Sequence, residues 1–469
     1  MKHFPTVPAQ FTPHTVRRKE VDLRLVPLGF LALISIGCIL LMLPATHRPG
    51  QTIKWLDAFF LSTSATCVTG LSTVNVAETF NFFGQAVLLV LIQLGGLGIF
   101  TASLSLVLLS GQKLSLADEH TISATVGKLR QVRPFDLFVY ACLFVFLFEL
   151  AGAVVMFLQM DDNGAVSVWQ TLWEASFHSV SAFCNAGISI YPEGLARWKD
   201  QPGLLAVIEA LVVAGGIGLM TLINLRYFYF WKRDPRRRGY LTLQTKISVF
   251  MAVLLLAVGT VLTFAFESSH TMAGATGWKR LSWSFFHSTM SRTAGFNTVD
   301  LSGISPPGLL TTLVLMFIGG APGSMAGGLK TVTFAVLVLT AWTTLRRQEN
   351  IHVFGRRISR QMSSVAVMLS LLAGAVLILG IGLLMFTEQR SAASQTPQQW
   401  LGVVFEAVSA FGTVGLSTGV TPLLTSLGKW VIIALMFTGR VAPLVLSIYL
   451  ARPSYPWHVR QPREDLSLG

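Results

Sequence analysis

Eight stretches of almost uninterrupted apolar residues dictate what this 469-residue chain can become: Leu25 to Leu43, Gly84 to Leu109, Leu137 to Leu158, Leu204 to Phe230, Ile247 to Phe266, Leu309 to Trp342, Val365 to Phe386 and Trp430 to Leu450. Each is long enough to cross a hydrocarbon core of ~30 Å. Within each successive pair lies a shorter, semi-apolar segment that ends in a glycine-containing stretch and cannot span by itself. Backbone groups in lipid must be paired, and irregular backbone is tolerated at membrane depth only where it lines a water-filled cavity. The pattern therefore predicts an all-α polytopic membrane protein in which the short segments are re-entrant. Charged residues make up only 12% of the chain and apolar types 52%, against about a quarter charged in soluble proteins. Soluble enzymes and disordered scaffolds are excluded.

The short segments are copies of one another. Set on Gly70, Gly187, Gly295 and Gly415, they are spaced 117, 108 and 120 residues apart. Ten positions earlier stand Phe60, Phe177, Phe285 and Phe405, and six positions earlier Ser64, Ser181, Thr289 and Ser409. An apolar residue follows each glycine, then Ser72, Ser189, Asn297 or Ser417. Further along, Gly95-Gly96, Gly215-Gly216, Gly319-Gly320 and Gly439-Arg440 mark each second span. The chain thus divides into four units of span, short helix, glycine segment and span: residues 25–111, 134–231, 243–344 and 362–451, flanked by an N-terminal stretch 1–24 and a tail 452–469.

Basic residues orient the units. The surplus is +13, and 23 of the 35 Lys and Arg lie in the termini and the loops joining repeats, including Lys232 to Arg238. By the positive-inside rule both termini are cytoplasmic, and the re-entrant segments enter from outside. Charges scattered in short loops form no continuous basic face, so nucleic acid is not a partner, whereas anionic lipid is. Cys38, Cys67, Cys142 and Cys184 show neither a disulfide framework nor metal-ligand spacing.

Four re-entrant segments around a common axis make a pore. Extended backbone before each glycine would turn carbonyl oxygens inward, and short helices would aim their negative C-terminal ends at the centre, an environment for a partly dehydrated cation. The candidate ion-binding residues are Cys67, Val68, Thr69 and Gly70; Cys184, Asn185, Ala186 and Gly187; Thr293, Ala294 and Gly295; and Gly412, Thr413, Val414 and Gly415. A cation is the expected cargo, and no catalytic residue, structural metal or covalently bound cofactor is expected. Arg292, beside the third segment, either tunes occupancy or turns away to satisfy loop carbonyls.

The sixth stretch is 34 residues long, ~51 Å as one helix, and its centre, Gly319 to Gly328, holds five glycines and a proline in ten residues. Helix must break there. A broken segment at mid-membrane is a candidate gate, the alternative being a packing kink. Gly319, Gly320, Gly323, Ser324, Gly327 and Gly328 would form it. Lys330 would anchor it, and intramembrane Arg440 would either repel cations or pair with loop carbonyls. Glu149 and Glu209 are intramembrane acids whose partners are not legible from the sequence.

Together, TSATCVTGL, HSVSAFCNAGIS, HSTMSRTAGFNT and EAVSAFGTVGLST, with GGAPGSMAGGLKT and FTGRVAP, resemble the Trk/Ktr/HKT superfamily of potassium transporters, nearer to the KtrB type than to the TrkH type because no extra pair of spans precedes the first repeat. The resemblance covers Leu25 to Leu450. It implies potassium uptake across the plasma (inner) membrane, sodium-dependent or not, by a homodimer that pairs with a cytosolic, nucleotide-binding RCK-type ring. It also implies that glycine at all four aligned positions favours potassium, and that the third-repeat loop obstructs the pore. Two other classes fit the sequence less well. An organic-solute transporter with broken helices would show inverted repeats with an odd number of crossings, and an intramembrane enzyme would need ligand or nucleophile patterns that the nine histidines do not supply.

Overall fold

The computed structural model describes residues 25–109, 134–160, 167–231, 241–348, 350–389 and 396–450, with 391 and 393. The expectations for the terminal stretches and for the basic cluster Lys232 to Arg238 lie outside these residues. Helices occupy all eight apolar stretches. Unit one has α1 (Leu25–Met42), the short α2 (Trp55–Thr66) and α3 (Phe82–Leu109). Unit two has α4 (Pro134–Gln159), short α5 (Val168–Phe183), α6 (Pro202–Ile217) and α7 (Leu219–Trp231). Unit three has α8 (Leu243–Glu267), short α9 (Gly277–Met290), α10 (Pro306–Phe317) and α11 (Thr331–Leu345). Unit four has α12 (Arg360–Thr387), short α13 (Pro397–Gly412) and α14 (Ser426–Leu450). A small hairpin, β1 (Ile351–Val353) with β2 (Arg356–Ile358), joins the last two units.

Among the described residues, three helices are long and apolar enough to cross a membrane, Ala141–Gln159, Leu243–Glu267 and Arg360–Thr387, or four where the bent pair Pro202–Ile217 and Leu219–Arg226 counts as one span. The fourth stretch departs from expectation. Instead of one straight helix, α6 and α7 meet at 100° across Gly218, which takes φ +89°, a conformation that side chains rarely adopt. The sixth stretch breaks as its glycines dictate, ending α10 at Phe317 and resuming at Thr331.

One packing device recurs. Ser62, Ser179 and Ser288 on the short helices donate to the carbonyls of Ile34 (2.7 Å), Glu149 (2.6 Å) and Leu256 (3.0 Å) on the first helix of their unit. Gly37, Gly152 and Gly259 stand opposite those hydroxyls, where a side chain would collide. In unit four, Gly380 makes room instead for Leu435. Small residues at these crossings let the helices approach closely. Glu267 and Glu388, at the ends of α8 and α12, accept from the backbone N–H of Ser305 (3.1 Å) and Thr425 (3.2 Å), capping the chain where the second helix begins.

These crossings correct the third copy by one residue. Phe60, Phe177 and Phe405 are fully buried, but in unit three Phe286 is buried while Phe285 is 38% exposed. The short helix α9 ends at Met290, and the buried Phe286 lies nine residues before its glycine where the other three phenylalanines lie ten before theirs. Phe286 and Met290, rather than Phe285 and Thr289, hold the repeated positions.

Candidate functional site: a ring of four glycine segments above an interrupted helix

Each short helix ends in the same turn. The N–H one residue before the glycine reaches back to a helix carbonyl, Thr69 to Ser64 (2.8 Å), Ala186 to Ser181 (2.7 Å), Val414 to Ser409 (2.8 Å) and Ala294 to Met290 (3.0 Å), and in unit three Gly295 reaches Met290 as well (3.1 Å). Two residues before the glycine, Val68, Asn185, Thr293 and Thr413 take φ +56°, +60°, +77° and +49°. Three of these are β-branched, and left-handed backbone costs such residues of the order of 1–3 kcal/mol. The same strained step in all four units means that the surrounding structure enforces it. The glycines follow at φ +97°, +65°, +72° and +91°.

The four segments meet in cyclic order. A side chain on Gly70 would strike the Ala186 carbonyl oxygen, one on Gly187 that of Ala294, one on Gly295 that of Val414, and one on Gly415 that of Thr69. Each glycine thus abuts the carbonyl that precedes the glycine of the next unit, and the fourth closes on the first. Asn185 and the Thr293 hydroxyl add a lateral contact of 3.3 Å. Cys67 and Cys184 are free and buried. Arg292 donates to the Ala252 carbonyl on α8 at 3.1 Å, the structural of its two readings.

Behind the ring, α13 braces the segment that follows Gly415 with a carboxylate that sequence reasoning missed. Glu406, fully buried, accepts from the hydroxyls of Ser417 and Thr421 at 2.6 Å and from the Thr418 N–H at 3.1 Å. In unit two His178 holds the equivalent place, its Nε2 3.0 Å from the Ser189 hydroxyl. Both lie nine residues before their glycine and reach two residues beyond it, a spacing visible in the sequence once the bracing is known. An ion pair links the first and fourth units, Lys429 to Asp57 at 2.6 Å. Among the described residues, no group of three His, Cys, Asp or Glu could hold a metal.

Gly319, Gly320, Gly323, Ser324, Gly327, Gly328 and Lys330 come together in the interruption between α10 and α11. Its two ends pair, Gly319 N–H to the Leu329 carbonyl (2.9 Å) and Thr331 N–H to that of Gly320 (3.0 Å). Its middle docks on the break between α6 and α7. Ala321 and Met325 donate to the carbonyls of Gly216 (2.9 Å) and Gly215 (3.1 Å), and Leu219 donates to that of Gly323 (3.2 Å). Lys330 Nζ donates to the Ala326 carbonyl at 2.5 Å. Arg440, 3% exposed, donates from Nη1 to the Met325 carbonyl, and its Nε and Nη2 find no acceptor among the described residues. A side chain on Gly327 would collide with the Thr413 hydroxyl, so the loop lies against the fourth glycine segment.

This combination of helices, cyclic glycine turns and interrupted span belongs to a known class. The family model described as "TrkH: Cation transport protein" matches residues 20–455, and the chain belongs to that family. Its relatives include the Ktr system potassium uptake protein B of Vibrio alginolyticus, 34% identical, with 97% of this chain and 96% of that protein covered. The potassium/sodium uptake protein NtpJ of Enterococcus hirae is 32% identical, with 97% and 98% covered. The crystal structure of the potassium transporter TrkH from Vibrio parahaemolyticus superposes with a TM-score of 0.70 at 20% identity, covering 92% of this chain and 85% of that one. The family consists of multi-pass membrane transporters, not enzymes, and membership sets aside the organic-solute reading.

Proposed function

We propose that this chain is the potassium-conducting subunit of a Ktr-type uptake system in the plasma membrane, with both termini cytoplasmic. Four span–pore-loop–span units surround one pore. The ion path is lined by the carbonyls of the segments ending at Gly70, Gly187, Gly295 and Gly415, with the C-terminal ends of α2, α5, α9 and α13 adding negative potential. The observation that carries this reading is the closed ring, in which each glycine lies against a carbonyl of the next unit. Anions and neutral solutes gain nothing from such a lining.

Residues 319–328 form the gate. The loop is held by backbone hydrogen bonds and by the buried side chain of Met325, and it has no helix of its own to unfold on release. Arg440 and Lys330 tether it, and their charges oppose cation passage when the loop is in place. The names of the relatives support potassium as cargo, with sodium as a second ion through NtpJ. The term "Ktr system" supports a separate regulatory subunit. We assign that role to a cytosolic, nucleotide-binding RCK-type ring working on a homodimer.

The test is ion flux into liposomes containing the purified full-length protein. Potassium flux exceeding sodium flux, with no uptake of anions or neutral organic solutes, is the expected result. Equal fluxes of cations and anions would reject the ring as an ion-selective path.

A further inference from the structure

The four-fold pattern breaks at Glu149 in the second unit and at Gln93 in the first, and the two meet in space beside Cys184. Glu149, 4% exposed, lies three residues before Gly152 in α4. The corresponding residues before Gly37, Gly259 and Gly380 are Ile34, Leu256 and Leu377. Gln93, two before Gly95 in α3, corresponds to Val213, Phe317 and Phe437. Cys184 ends the second short helix where the others carry Cys67, Arg292 and Gly412. Glu149 Oε2 accepts from Gln93 Nε2 at 3.1 Å, and the Cys184 thiol lies 3.7 Å from Glu149 Oε1 and 3.5 Å from Gln93 Oε1.

Packing does not require an acid here, since the other units fill the matching site with Ile or Leu, and a buried carboxyl carries a desolvation cost that aliphatic side chains avoid. What the acid adds is direction. It ties α3 of the first unit and α4 of the second to the last residue before the strained Asn185 turn, three residues from Gly187. We propose that Gln93 and Glu149 are positioning residues that hold the second glycine segment from behind through Cys184, and thereby set the preference of the ring for potassium over sodium. This rests on the ring being the ion path.

The experiment measures potassium and sodium flux of full-length variants in liposomes and takes their ratio. Glu149→Gln keeps the volume but leaves one of the two donors facing an amide N–H. It should lower the ratio roughly two- to tenfold, the worth of one buried hydrogen bond. Adding Gln93→Glu to Glu149→Gln recreates one acceptor and one amide in exchanged places and should restore the ratio, which a role in filling space would not produce. Cys184→Ala, which removes only the thiol donor, should shift the ratio in the same direction and serves if Glu149→Gln fails to fold. Gly70→Ser is the control. A wild-type ratio in Glu149→Gln, or in Cys184→Ala should that variant replace it, while Gly70→Ser shifts, overturns the positioning role and leaves the ring standing. A wild-type ratio in Gly70→Ser as well overturns the ring itself.

Discussion

The glycine ring and the loop of the third unit lie against each other but obey opposite rules. The ring is built four times over, with the same left-handed step, the same glycine and the same contact to the next unit. The loop exists once, and the helices at its place in the other units are continuous or simply bent. Equal contributions suit a site that must surround an ion on all sides. A single contribution suits an element that must occupy one axis, because four copies could not share that space. The loop's partners reflect this: the break in unit two, Thr413 and Arg440 in unit four, and the sulfur of Met325, close to where a side chain on Gly96 of unit one would lie. Repetition is retained where the four units act alike, and lost where one acts on the rest.

The largest expected effect comes from filling the ring. Gly295→Val would drive a branched side chain into the Val414 carbonyl at a left-handed position, and potassium flux should fall to background while the purified protein remains folded by circular dichroism. Next is the loop. Replacing residues 320–327 by a short serine linker should raise basal flux several-fold, and an unchanged flux would remove the loop as gate. A smaller rise is expected for Arg440→Ala, which frees the Met325 carbonyl and removes a buried charge. The smallest effect is on stability. Asp57→Asn breaks the partly buried pair with Lys429 that joins the first and last units, and should cost about 1 kcal/mol, read as a lowered melting temperature with flux preserved.

Much of this arrangement was legible because glycine and proline act locally. The five glycines and Pro322 foretold the break in the sixth stretch, whereas the backbone before the glycines at 70, 187, 295 and 415, expected to be extended, turns through a left-handed residue. The bend at Gly218 was not legible, since the same Gly-Gly mark precedes helix that continues in unit one, and only docking of the loop N–H groups on the carbonyls of Gly215 and Gly216 distinguishes them. The slip in unit three escaped because Phe285 and Phe286 are adjacent, and an alignment fixed on glycine accepts either. Glu406 carries no signal as an isolated acid, and Glu149 stands out only as an intramembrane acid without a visible partner. Their roles appear only when residues from different helices are brought together.

The central claim is that the four glycine segments select the ion, and Gly70 offers the most direct test. Potassium and sodium fluxes should be compared in liposomes for the wild-type protein and Gly70→Ser at equal protein content. A side chain at this position meets the Ala186 carbonyl of the next unit, so the account predicts a marked loss of potassium preference with cation flux retained. A potassium-to-sodium ratio identical to the wild type would contradict it.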